Sequence, residues 1–148
     1  MFSFTLNTKI YRPLQEVFKF VATPENDFEW QYGTLTSTQV SGGAIGVGTL
    51  FRTKGHLIRR LVEGVYEITE YETNQKYGFK SLSGPMRLHT LYTFEISYGS
   101  TRINMFFQVS PEDFFKANDA SVEKSVKKQC RENLALLKSI LETRHIVR

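Results

Sequence analysis

The chain has one cysteine, Cys130, so an internal disulfide is excluded. No apolar run approaches the roughly eighteen residues of a membrane span, and the opening MFSFTLNTKIYRP lacks the basic start and apolar block of a secretory signal. A cytoplasmic protein without stable membrane insertion is the expectation. His56, His89 and His145 lie far apart, and no His-x-His, His-x-x-x-His or Cys pair joins them. No metal and no other cofactor is therefore expected. There is no Gly-x-Ser-x-Gly elbow for acyl transfer. Gly42, Gly43, Gly46 and Gly48 crowd one stretch, but no Gly-Lys-Ser/Thr follows and no helix begins there. They read as a turn rather than a phosphate loop.

What is present is enough for one core. The chain has 148 residues, 41% hydrophobic and 14% aromatic, which makes one domain over 1–148 the expectation. The formal charge of +4 would permit an acidic partner if the basic residues were gathered. They are scattered. The densest groups are Arg59 with Arg60, and Lys124, Lys127, Lys128 and Arg131, the second resembling the solvent face of a helix. With no recognition motif beside them, nucleic acid is not expected as a partner.

Phe2, Phe4, Leu6, Thr8 and Ile10 alternate with polar residues, so the chain opens on a strand with one buried face. Pro13, Leu14, Val17, Phe18 and Val21 predict a short helix to about Ala22. Thr23 as a cap, Pro24 behind it, and Glu25 and Asp27 near the positive helix end predict a second one through Trp30. Strand patterns then recur over Thr34 to Ser41, Thr49 to Lys54, Leu61 to Glu72, Lys76 to Leu82, Arg87 to Ile96 and Thr101 to Val109. The breaks between them hold Asn74, Gly84 with Pro85, and Gly99 with Ser100. Ser110 and Pro111 predict a further helical turn, breaking near Asn118. From Ser121 to Arg144, the residues Val122, Val126, Cys130, Leu134, Leu137 and Leu141 recur at helical spacing. Such a stripe needs an apolar partner roughly 30 Å long. The expected fold class is α+β: a seven-stranded curved antiparallel sheet, two short helices after strand one, and one long C-terminal helix packed across the sheet. Strand one can complete that sheet by pairing with the last strand.

This order is the helix-grip arrangement, and the chain resembles the START-like, or SRPBCC, superfamily. That superfamily includes birch-pollen-allergen-like proteins, polyketide cyclases and dehydrases, and lipid-transfer domains. The resemblance is carried by Pro13, Val17 and Phe18, by Trp30, by Gly46-Val47-Gly48-Thr49, and by the run Glu67 to Glu72. It continues in Tyr92 and Phe94 with Gly99-Ser100-Thr101-Arg102, and in Leu134, Leu137, Lys138, Leu141 and Glu142. It implies a cavity between the inner sheet face and the long helix, entered near the short helices and the strand-end loops. Residues expected to line such a ligand-binding cavity are Trp30, Phe51, Tyr66, Ile68, Phe79, Leu88, Tyr92, Met105, Phe107, Val126, Cys130 and Leu134. Trp30, at the end of a short helix, can pack as an anchor or form part of the pocket lip, and the anchor is the favoured reading.

Cys130 lies on the apolar stripe and reads as a small buried hydrophobe rather than a nucleophile. The candidates for acid–base work are His56, His89, Arg52, Arg87, Tyr66 and Tyr92. If Leu88, Tyr92 and Phe94 face inward, Arg87 and His89 face water, and a one-residue slip would reverse that. His56 sits near a predicted turn. Tyr66 and Tyr92 are better placed, since a pocket tyrosine can orient a substrate oxygen. The leading expectation is a protein that holds a small hydrophobic or aromatic, lipid- or polyketide-like molecule. The alternatives are a cyclase or dehydrase enzyme, marked by two polar groups converging in a sealed pocket, and an interaction module without ligand. A homodimer is compatible with each.

Overall fold

The computed structural model describes residues 2–57, 60–84, 87–110 and 119–144. β1 (Phe2–Ile10) buries Phe4, Leu6 and Ile10, the parity its alternation requires. α1 (Leu14–Val21) follows, then a 3₁₀ turn (Pro24–Asn26) running into the single-turn α2 (Asp27–Trp30). The strands β2 (Thr34–Gln39), β3 (Leu50–Leu57), β4 (Arg60–Glu72), β5 (Lys76–Ser83), β6 (Arg87–Ser97) and β7 (Ser100–Ser110) come next, and α3 (Asp119–Arg144) closes the chain.

All seven strands form one antiparallel sheet in the order β1-β7-β6-β5-β4-β3-β2. β1 pairs with β7 from Phe2↔Val109 to Ile10↔Thr101, the closure expected of the first and last strands. β1 and β2 thus sit at opposite edges, and α1 and α2 carry the chain from one to the other. α1 packs Phe18 edge-on to Phe94 and Tyr71, with ring centroids 5.1 and 5.5 Å away.

The whole apolar stripe of α3 is buried: Val122, Val126, Cys130, Leu134, Leu137 and Leu141. Two sets of polar contacts fix where the helix lies. Near its end, Lys138 Nζ donates to the Lys9 carbonyl at 2.6 Å and to Glu142 at 2.7 Å, while the Tyr11 N–H donates to Glu142 Oε2 at 3.0 Å. Nearer its start, Asn133 Oδ1 accepts from the Tyr32 N–H at 2.8 Å, and Gln129 Nε2 donates to the Tyr32 carbonyl at 3.1 Å. The second pair ties α3 to the chain just after α2.

Two local expectations fail. Thr23 does not cap the second short helix: its Oγ1 donates back to the Lys19 carbonyl at 2.6 Å, finishing α1 instead. In β4 the pairing with β5 shifts between Ile68 and Glu70, a bulge that lets Tyr71 as well as Ile68 reach the core. The helical turn expected from Pro111 to Asn118 lies outside the described residues, as do Arg59, Pro85 and His145.

Candidate functional site

Where α3, α2 and the inner face of the sheet meet, the side chains leave a cavity of about 140 Å³. Phe51, Val62, Phe79, Leu88, Met105 and Phe107 form its wall on the sheet side, and Val126 and Cys130 form it on the helix side. These positions follow from the strand parities. On β6, for instance, Leu88, Thr90 and Tyr92 face in, opposite Val109, Phe107 and Met105 of β7. The rings pack against each other as well: Phe51 stacks on Tyr66 at 5.5 Å, and both meet Phe79 edge-on at 5.4 and 5.7 Å.

Of the twelve residues expected at this site, nine lie on the wall: Phe51, Tyr66, Phe79, Leu88, Tyr92, Met105, Phe107, Val126 and Cys130. Trp30, Ile68 and Leu134 do not; they are buried in the surrounding core. Trp30 packs edge-on to Tyr92 at 6.1 Å, behind the wall, so it serves as an anchor rather than a lip. Among the acid–base candidates, Tyr66 and Tyr92 reach the cavity. His56 borders it but is exposed, on the same β3 parity as Arg52; β3 runs past the predicted turn there, and the His56 N–H donates to the Gly33 carbonyl at 2.6 Å. That approach needs glycine at both Gly33 and Gly55, since a Cβ at Gly55 would strike the Gly33 carbonyl oxygen. Arg52 points outward and pairs with Glu63 at 3.6 Å. Arg87 is exposed, and His89 rests edge-on to Phe106 on the outer face of the sheet. The inward register of Leu88, Tyr92 and Phe94 therefore holds.

The wall also carries polar groups that the sequence reading passed over: Asp27, Gln31, Thr53, Thr90, Gln129 and Asn133. Asp27 is the most consequential. It sits in the first turn of its helix, near the positive end, and is nonetheless buried at 5% exposed. It lies three residues before Trp30, so both share the inward face of one helical turn. Its Oδ2 accepts from Ser37 Oγ at 3.2 Å, and Ser37 Oγ lies 2.9 Å from Thr53 Oγ1. Ser37 and Thr53 are cross-strand partners in the β2–β3 ladder, which fixes that second distance.

Burial pushes the Asp27 carboxyl well above the usual carboxylate range; the Ser37 hydrogen bond opposes the shift and the charge of nearby Glu25 adds to it. Burial lifts the Tyr66 hydroxyl and the Cys130 thiol to about 12 each. It also raises Tyr92 and Tyr77 well above an ordinary phenol. The tyrosines and the thiol on this wall are thus neutral near pH 7. Behind them, Tyr77 stacks on Tyr92 at 6.2 Å, and its hydroxyl, like Trp30 Nε1, is buried without a hydrogen-bond partner.

Among the described residues no group of three or more His, Cys, Asp or Glu is placed to hold a metal ion, and no helix is long and apolar enough to cross a membrane. The arrangement can enclose an apolar ring while offering a few neutral hydrogen-bonding groups, and Asp27 with Thr53 can exchange a proton through Ser37.

Residues 1–142 match the model of a family described as polyketide cyclase / dehydrase and lipid transport. No curated protein matches the sequence. The fold is shared with TTHA0849 from Thermus thermophilus, 18% identical over 98% of this chain and 97% of that one, with a TM-score of 0.76. It is also shared with a START superfamily protein from Mycobacterium smegmatis, 10% identical over 95% of this chain and 97% of that one, with a TM-score of 0.83. A third is BexL, a di-domain ARO/CYC protein of the BE-7585A biosynthetic pathway, 16% identical over 96% of this chain and 47% of that one, with a TM-score of 0.75. At such identities the likeness is one of fold.

Proposed function

The chain belongs to the polyketide cyclase / dehydrase and lipid transport family, and on that premise we propose that it binds a small, largely apolar ring compound in the cavity beneath α3. The observation that supports this reading is the cavity itself, walled by Phe51, Phe79, Leu88, Met105 and Phe107 and roofed by Val126 and Cys130. Its volume of about 140 Å³ is close to the roughly 150 Å³ of an apolar cavity that admits benzene. A ligand of one or two rings fits better than a long acyl chain. Burying about 200 Å² of such a ligand contributes about 5 kcal/mol before the costs of association. Thermal-shift and native mass-spectrometric screening with single-ring aromatics, flavonoids, polyketide fragments and fatty acids tests the proposal. Stabilisation and a one-to-one adduct with the ring compounds are expected, and the absence of both across the panel refutes it.

A second reading is an enzyme of the cyclase type, favoured by the convergence of Asp27, Tyr66 and Tyr92 on one cavity. A base there would take a proton from the carbon beside a carbonyl. The carbanion would attack a second carbonyl of the same chain, and water would leave. Incubation with a short poly-β-ketone and NMR detection of the cyclised product tests this, and a rate no greater than that without protein sinks it.

A further inference from the structure

Resting on the cavity-binding reading above, we propose that Asp27 is the recognition group of this site. As a carboxylic acid it offers a hydrogen bond to an acceptor oxygen on the ligand, so the cavity takes neutral aromatic ketones and turns carboxylates away.

The geometry begins with what Asp27 lacks. It is 5% exposed and lines the cavity, and among the described residues no ion pair reaches it. The titratable groups around it are Glu25 on the preceding turn, Tyr77 on β5 and Tyr92 on β6, with Tyr66, Cys130 and His56 further along the same wall. Among the described residues no Lys or Arg lines the cavity. An ionised carboxylate without a countercharge is costly to keep out of water, and the neutral acid is the form such a site favours. The same lack governs the ligand. A bound carboxylate would lose its hydration beside another carboxyl group, with no guanidinium or ammonium to replace it.

The hydroxyl pair beside Asp27 sets the direction of donation. Ser37 Oγ bridges Asp27 Oδ2 at 3.2 Å and Thr53 Oγ1 at 2.9 Å, and Thr53 lines the cavity. Ionised, Asp27 draws both protons toward itself: Thr53 donates to Ser37, Ser37 donates to Asp27, and the cavity meets only lone pairs. Protonated on Oδ2, Asp27 donates to Ser37, Ser37 donates to Thr53, and the Thr53 proton turns into the cavity. Protonated on the other oxygen, Asp27 can donate directly. Either acid form presents a donor, and a ketone oxygen, which only accepts, is its complement. The rings of Phe51, Phe79 and Phe107 on the wall leave an apolar slot for the aromatic part.

Three ligands of one ring size test this by NMR titration at pH 7: toluene, acetophenone and benzoate. Acetophenone is expected to bind about 10-fold more tightly than toluene, and benzoate at least 100-fold more weakly than acetophenone. Asp27→Ala should erase the preference for acetophenone over toluene, read as the ratio of the two affinities, and Asp27→Asn, whose amide still donates, should keep it. Benzoate binding as tightly as acetophenone, or an undiminished preference in Asp27→Ala, overturns the proposal. Toluene binding without any preference for acetophenone overturns it alone, whereas failure of all three ligands overturns the cavity reading as well. Should Asp27→Ala not fold, the wild-type protein still decides. Its Asp27 carboxyl carbon should keep the chemical shift of the acid at a pH well above the ordinary carboxylate range of about 4, and titration within that ordinary range refutes the assignment.

Discussion

Replacing Asp27 by Asn removes one proton-binding site from the core at almost constant volume, and the Asn carbonyl can still accept from Ser37. Burial raises the native carboxyl well above its ordinary range, whereas the unfolded chain titrates it near about 3.9. The native state therefore holds a proton that the unfolded state has released. The contribution of Asp27 to stability is full below the unfolded value and is lost as pH rises through the native one. One proton limits the loss to about 1.4 kcal/mol per pH unit. Between pH 4.5 and 6.5 the wild type should thus fall behind Asp27→Asn by up to about 2.7 kcal/mol, a large share of the roughly 5–15 kcal/mol of a typical domain. Glu142 titrates in both proteins, so its contribution cancels in the difference. Urea denaturation of the pair at pH 4.5, 5.5 and 6.5 measures the gap, with equal slopes expected because the surface exposed on unfolding is the same. A gap independent of pH, or one closing as pH rises, would refute the claim that this carboxyl is held as the acid.

Three further predictions follow from the packing. Leu137→Ala, at a fully buried position on α3, should cost about 2–5 kcal/mol by calorimetry or denaturant unfolding; a loss under about 1 kcal/mol would mean that α3 is not pressed against the sheet there. Tyr77→Phe removes a buried hydroxyl that has no partner while keeping the ring, and should stabilise the fold by up to about 1–3 kcal/mol; destabilisation would show that the hydroxyl is bonded to a trapped water. The Cys130 thiol, lifted to about 12 by burial, should resist thiol reagents at pH 8 in the native protein and react promptly once urea unfolds it; equal rates in both states would place it at the surface.

The sheet was legible because the alternations on β6, from Thr90 to Phe94, and on β7, from Thr101 to Val109, bury one face, and a period of two then fixes which residues point inward; Ile96, at the end of the β6 pattern, is exposed. The stripe on α3 was legible for the same reason at period 3.6: all six positions are buried. Failures came where the period breaks or where a polar side chain has two local uses. The β4 bulge inserts a residue between Ile68 and Glu70, and nothing in the run Glu67 to Glu72 marks where the extra residue goes. A threonine before a proline can cap the next helix or bond back to the last one, and Thr23 does the second. Asp27 was the same kind of ambiguity with larger consequences. An acidic residue in a first helical turn ordinarily stays in water near the positive helix end, and only the pairing of Ser37 with Thr53 reveals the inward partner that draws it under.

The position of the cavity follows from side-chain size. Along the buried stripe of α3 the residues run Val122, Val126 and Cys130, then Leu134, Leu137 and Leu141. The small residues lie in the first half of the helix and the leucines in the second. The cavity lies beneath that first half, with Val126 and Cys130 on its wall. Side chains this short reach less far toward the sheet than a leucine would, and a helix held straight by its own hydrogen bonds cannot bend to close the gap. The leucines reach the sheet, and the contacts of Lys138 with Lys9 and of Glu142 with Tyr11 fasten that end. The helix is thus seated at one end and bridges a hollow at the other, where Gln129 and Asn133 tie it to the loop after α2. That loop follows directly from the turn carrying Asp27, so the contacts that hold the hollow open also position its buried acid.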